Sequence, residues 1–125
     1  MPRSRKVLLH KIRKNLSEFE PEVVIAILDR YGVESYENGR TRVQLAILKV
    51  FQELAQQNES PDVKLERLQN LVRTAKLDFR DVVAWAEYPE ENRMGFREMK
   101  KLSPQQAKAL RRRDRKQYLH WLAEG

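Results

Sequence analysis

The chain has 125 residues and a mass of 14.9 kDa, which suits one domain, and it carries 25 Lys/Arg against 18 Asp/Glu for a net charge of +7. Charged residues make up 34% and hydrophobic residues 41%, a polar balance that still leaves enough apolar surface for a core. Cysteine is absent and His10 and His120 are the only imidazoles, which excludes disulfides, thiolate chemistry and Cys-ligated zinc and argues against a His-rich metal centre; neither metal nor cofactor is expected.

Residues 1 to 14 hold six Lys/Arg (Arg3, Arg5, Lys6, Lys11, Arg13, Lys14) and no acid. Leu8, Leu9, Ile12 and Leu16 recur at helical spacing there, so residues 4 to 16 are predicted to be a basic amphipathic helix. Residues 15 to 92 reverse the balance, with nine Lys/Arg against fifteen Asp/Glu. Pro21 suits a first helical position, with Glu18, Glu20 and Glu22 where the positive end of the helix dipole favours them. The run Val23 to Leu28 follows, and Gly32 with Val33 reads as a Schellman-type stop, giving a helix over 21–31. A short buried strand is the rival reading of that β-branched run, but no other segment offers itself as a pairing partner.

After a loop over 34–39, Val43, Ala46, Ile47, Val50, Phe51 and Leu54 mark a helix over 41–56, with Leu45 and Leu48 widening the stripe as expected near a bundle centre. Ser60-Pro61 is a cap followed by a first-turn proline and opens a helix to about residue 76 that buries Leu65, Leu68, Leu71, Val72 and Ala75. Asp78 caps a short helix carrying Val82, Val83, Trp85 and Ala86, which must end near Tyr88 because Pro89 follows. Residues 89–102, with Pro89, Asn92 and Gly95 among mixed charges, read as a linker. Residues 93 to 125 return to ten Lys/Arg against Glu98, Asp114 and Glu124. Ser103-Pro104-Gln105-Gln106 is a capping box for a helix over 104–123, with Ala107, Leu110, Tyr118, Trp121 and Leu122 on one side and Lys108, Arg112, Arg113, Arg115 and Lys116 on the other. Asp114 falls inside the apolar stripe, within one turn of Arg111 and Tyr118.

The expected fold is therefore all-α, a compact bundle of about four helices over roughly 21–88 flanked by basic amphipathic N- and C-terminal helices. In chain order this is a basic arm (1–16), an acidic core (17–88), a linker (89–102) and a basic helix (103–125).

Clustered cations point to a polyanion. Six basic residues fall within the nine positions from Lys108 to Lys116, and they repel one another unless a partner neutralises them. Phosphate backbones reward such clusters through counterion release. The expectation is a non-enzymatic binding protein that engages nucleic acid, RNA before DNA, or an RNA–protein particle. Its candidate contacts are Arg3, Arg5, Lys6, Lys11, Arg13 and Lys14 at one end and Lys108, Arg111, Arg112, Arg113, Arg115 and Lys116 at the other. Tyr118 and Trp121 are positioned either to stack on unpaired bases or to anchor the tail to the bundle. The alternative is a protein-interaction adaptor whose basic tails dock on an acidic helical surface, its own or a partner's, with tail exchange in a homodimer as one form.

Other readings are weaker. Val72 to Trp85 has a spacing similar to a helix-turn-helix, but Lys76 stands near the turn where that motif usually has Gly, and the second helix carries Asp78, Asp81 and Glu87 against Arg80 alone. The longest apolar run is too short to cross a bilayer, no lipidation motif is present, and Val7-Leu8-Leu9 is too short for a secretory signal; a cytoplasmic location is expected, and a membrane partner is not. No Gly-rich phosphate loop and no metal-binding or Ser–His arrangement supports catalysis. Asn38-Gly39-Arg40-Thr41-Arg42 is a weak anion site at a helix N-terminus, with Arg40, Thr41 and Arg42 as its candidates.

Overall fold

In a computed structural model, which describes residues 3–31 and 37–124, the chain is all-helical. The described residues form, in order, the helical elements α1 (Arg3–Asn15), α2 (Pro21–Leu28), α3 (Glu37–Leu54), α4 (Pro61–Leu77), α5 (Phe79–Glu87), α6 (Pro89–Lys100) and α7 (Pro104–Ala123). Local chemistry sets most of these boundaries. The Ser60 hydroxyl accepts from the Val63 N–H at 3.4 Å, and Pro61 occupies the first turn of α4. Asp78 ends α4 and starts α5, accepting from the Arg80 N–H at 3.0 Å. At α7 the capping box closes in both directions: the Gln106 N–H donates to Ser103 Oγ at 3.1 Å and the Ser103 N–H donates to Gln106 Oε1 at 2.8 Å.

Helix α3 runs through the centre and packs chiefly on α4 and α5. Its Ala46, Ile47, Leu48 and Phe51 are fully buried, in one cluster with Val24 and Leu28 of α2, Leu68 and Val72 of α4, and Val82 and Ala86 of α5. Phe19, in the turn between α1 and α2, meets Phe51 with ring centroids 5.5 Å apart. Buried Gln44 donates to the carbonyls of Leu28 (2.9 Å) and Tyr31 (3.4 Å), so a side chain of α3 satisfies the open end of α2. The Gly32–Val33 stop predicted for that helix lies outside the described residues.

Both basic ends join this core. Leu8 and Ile12 from α1, Leu16 just after it, and Tyr118 and Trp121 from α7 are buried in the same cluster as Phe51. Leu54 and Trp85, expected inside, are half-buried at its edge. The segment expected as a linker is helical within Pro89–Lys100 on either side of Gly95: Pro89 takes a first-turn position, and Gly95, at φ 75°, breaks the element in two.

Candidate polyanion-binding surface

Helix α7 sorts its charges by direction. Arg111 faces α6 and forms a two-pronged pair with Glu91, with N–O distances of 2.7 and 3.0 Å. One turn on, Arg115 lies 3.8 Å from Glu87 and donates to the Tyr88 hydroxyl at 3.4 Å. Glu87 and Glu91 are four residues apart, as are Arg111 and Arg115, so two turns of one basic helix match an acidic pair across the α5–α6 boundary. Hydrogen bonding and charge from these partners raise the pKa of both arginines, keeping them cationic. Lys108, Arg112, Arg113 and Lys116 point away: all four are exposed, and none makes a hydrogen bond or ion pair among the described residues. At 100° per residue they cover a continuous outer strip of the helix.

The buried side of α7 explains its attachment. Asp114 is 1% exposed; its Oδ2 accepts from the backbone N–H of Glu90 at 3.0 Å, while its Oδ1 is buried with no hydrogen-bond partner among the described residues. Tyr88, at the N-cap of α6, supplies no side-chain cap, so Asp114 fills that role from another helix. Burial pushes its carboxyl pKa up, and the Glu90 hydrogen bond opposes the shift. Neither Arg111 nor Tyr118, each within one turn of Asp114, bonds to it: Arg111 is held by Glu91, and Tyr118 is buried, which raises its hydroxyl pKa to about 12.

Three residues proposed as nucleic-acid contacts lie inside the protein. Tyr118 and Trp121 stack on each other with centroids 6.0 Å apart, and Trp121 Nε1 donates to Gln52 at 3.0 Å. Both are buried and help to anchor the helix, although the edge of Tyr118 also lines the groove described below. Lys11, 1% exposed, donates to the carbonyl oxygens of Trp121 and Glu124, the latter at 2.9 Å, and its ammonium sits 4.3 Å from the Trp121 ring centroid. A cation from α1 thus caps the negative end of α7. Desolvation lowers its pKa, with the nearby Glu124 opposing.

Of the other α1 cations, Arg5 is paired with Asp29 at 2.7 Å and Lys14 with Glu124 at 3.5 Å, whereas Lys6 and Arg13 are exposed without an ion pair among the described residues. The side chain of Arg3 lies outside those residues. The helix that carries Arg40, Thr41 and Arg42, the candidate anion site, has bounds different from the expected 41–56. The helix starts earlier, at Glu37, so the N–H groups of Thr41 and Arg42 fall beyond the four that a helix start leaves free. Arg42 instead borders an apolar groove of about 450 Å³ lined by Val43, Leu45, Val83 and Leu122.

Glu87, Glu91 and Tyr88, which hold the arginines, were missed by sequence reasoning; the signal available was the match of two i,i+4 pairs of opposite sign. Among the described residues, no three His, Asp or Glu side chains gather to hold a metal, and no helix is long and apolar enough to cross a membrane. No family model, curated protein or solved structure matches the chain.

Proposed function

We propose that this is a non-enzymatic binding protein that engages a polyanion, RNA or an RNA–protein particle before DNA, through the outer strip of α7. The observation that carries the reading is the division of charge on that helix. Arg111 and Arg115 already have acidic partners within the chain, whereas Lys108, Arg112, Arg113 and Lys116 stand exposed with no ion pair among the described residues. Four cations on two and a half turns repel one another in the free protein, and a phosphate backbone relieves that repulsion while releasing counterions. Lys6 and Arg13 of α1 are secondary contacts on this reading, with a cytoplasmic location. Purification at low salt should yield protein carrying nucleic acid, seen in the absorbance ratio and removed by ribonuclease or by high salt. Protein that stays free of nucleic acid at low salt and ignores added single-stranded RNA would refute the reading.

The runner-up is an adaptor that meets an acidic protein surface. It is favoured by the pairing of Arg111 and Arg115 with Glu91 and Glu87, a contact that a second copy could make by exchanging α7. A concentration-dependent dimer by light scattering, abolished by Arg111→Gln/Arg115→Gln, is the outcome this reading requires.

A further inference from the structure

We propose that the cleft between the end of α5, the first turn of α6 and α7 holds an unpaired nucleobase of a single-stranded nucleic acid whose phosphates follow the outer cations of α7. This rests on the polyanion reading above and deepens it by naming the ligand class. The cleft, of about 370 Å³, is lined by Ala84, Trp85, Tyr88, Glu91, Asn92 and Arg111. Single-strand binders combine a cationic track with aromatic faces on which bases stack. With Tyr118 and Trp121 buried, that platform has to come from elsewhere. Trp85 and Tyr88 are half-buried, and both line this cleft. The Arg111 guanidinium lies 5.9 Å from the Tyr88 ring centroid, held there by both oxygens of Glu91, so the cleft has a planar cation fixed beside an aromatic ring.

Electrostatics permits a phosphate chain to approach. Glu87, Glu90 and Glu91 stand close to the cleft and would repel one, but each is neutralised: Glu87 by Arg115 at 3.8 Å, Glu90 by Arg93 at 2.8 Å and Glu91 by Arg111 at 2.7 Å. Lys108, three residues before Arg111, and Arg112, directly after it, remain unpaired among the described residues and lead outward from the cleft mouth toward Lys116. A nucleotide matches this arrangement because it carries a π face and a phosphate on the same unit. The Asn92 amide, with a donor and an acceptor, adds a polar group for a base edge. Stacking of this kind tolerates any base, so the site selects unpaired bases and not a sequence.

The test uses the full chain and three fluorescently labelled probes of equal phosphate count at low salt: a single-stranded RNA dodecamer, its abasic counterpart and an RNA duplex. The single strand should bind about tenfold more tightly than the abasic strand, and should quench tryptophan fluorescence where the abasic strand does not. Trp85→Phe, which keeps a π face, should retain the preference; Trp85→Leu and Tyr88→Leu, each checked for folding by circular dichroism, should abolish it. Equal affinity for the base-bearing and abasic strands overturns the cleft but leaves the polyanion reading standing, whereas failure of all three probes to bind removes the polyanion reading itself. A duplex bound as tightly as the single strand, or an acidic aromatic peptide bound more tightly than RNA at equal charge, also overturns the inference.

Discussion

The two basic ends have similar composition and are used differently. Helix α1 turns its cations largely toward the protein: Lys11 is buried against the end of α7, and Arg5 and Lys14 are paired with Asp29 and Glu124. Helix α7 turns Arg111 and Arg115 toward Glu91 and Glu87 but leaves four others facing water. A run of positive charge in a sequence is therefore not yet a binding surface. What matters is which cations the fold has already neutralised, and that criterion is why the outer strip of α7, before α1, is proposed as the binding surface.

The largest expected effect lies in the core that both ends share. Phe51→Ala should destabilise the protein by about 3–5 kcal/mol in a urea titration, because Phe51, in the last turn of α3, is fully buried and meets Phe19. If the middle unfolded while α1 and α7 stayed protected, the ends and the core would not be one cooperative unit.

Next in size is Lys11→Met, which keeps the stem and removes the ammonium. The C-terminal carbonyls of α7 lose a charged donor, and stability should fall by about 2 kcal/mol, partly offset by relief of the buried charge. RNA affinity should be unchanged, since Lys11 is enclosed. Weaker RNA binding at unchanged stability would return α1 to the binding surface.

A pH titration sharpens the contrast on the docked side of α7. The carboxyl of Asp114 has a folded-state pKa above its unfolded value, so the native state holds the proton more tightly. Its contribution to stability is fully present below the usual aspartate value and is lost as pH rises through the raised folded value. The stability of the wild type relative to Asp114→Asn should therefore fall across that window and level off above it, as read by chemical denaturation at several pH values. A relative stability that rose with pH there would mean that a cation, and not burial, governs this carboxylate.

How much of this was legible in the sequence follows from the residues involved. Helix boundaries set by short-range chemistry were readable: Ser60-Pro61, Asp78, Pro89 and the Ser103–Gln106 box each act within one turn of their own position. The helix over 89–100 was not, because Pro89, Asn92 and Gly95 read as breakers. Pro89 instead occupies a position where its missing N–H costs nothing, whereas Gly95 does interrupt the helix, with φ 75° and ψ 172°. The burial of Lys11 was also hidden. It lies three residues after Leu8 and beside Ile12, on the inward stripe, yet its charge assigned it to the surface, and its partners stand more than a hundred residues away in the chain. Tyr118 and Trp121 offered two readings, and the hydrogen bond from Trp121 to Gln52 of α3 decides for the anchor. The start of α3 was misplaced because Gly39, a residue that reads as a turn, lies within the helix, which moves Arg40–Arg42 away from the helix start.

The smallest effect on stability is expected where the effect on binding is largest. Replacing Lys108, Arg112, Arg113 and Lys116 with Gln should change stability by no more than about 1 kcal/mol, since exposed charges without partners contribute little to folding. The most direct measurement is the affinity for single-stranded RNA as a function of salt, compared among the wild type, this outer fourfold variant and the docked-side variant Arg111→Gln/Arg115→Gln. The slope of log affinity against log salt should flatten by about 3 in the fourfold variant, at roughly 0.7 for each phosphate that the protein no longer neutralises. It should change far less in the docked-side variant, whose cations are already engaged by Glu91 and Glu87. Equal flattening in the two variants, or tight salt-sensitive binding that survives the fourfold change, would contradict the assignment of the outer strip of α7 as the binding surface.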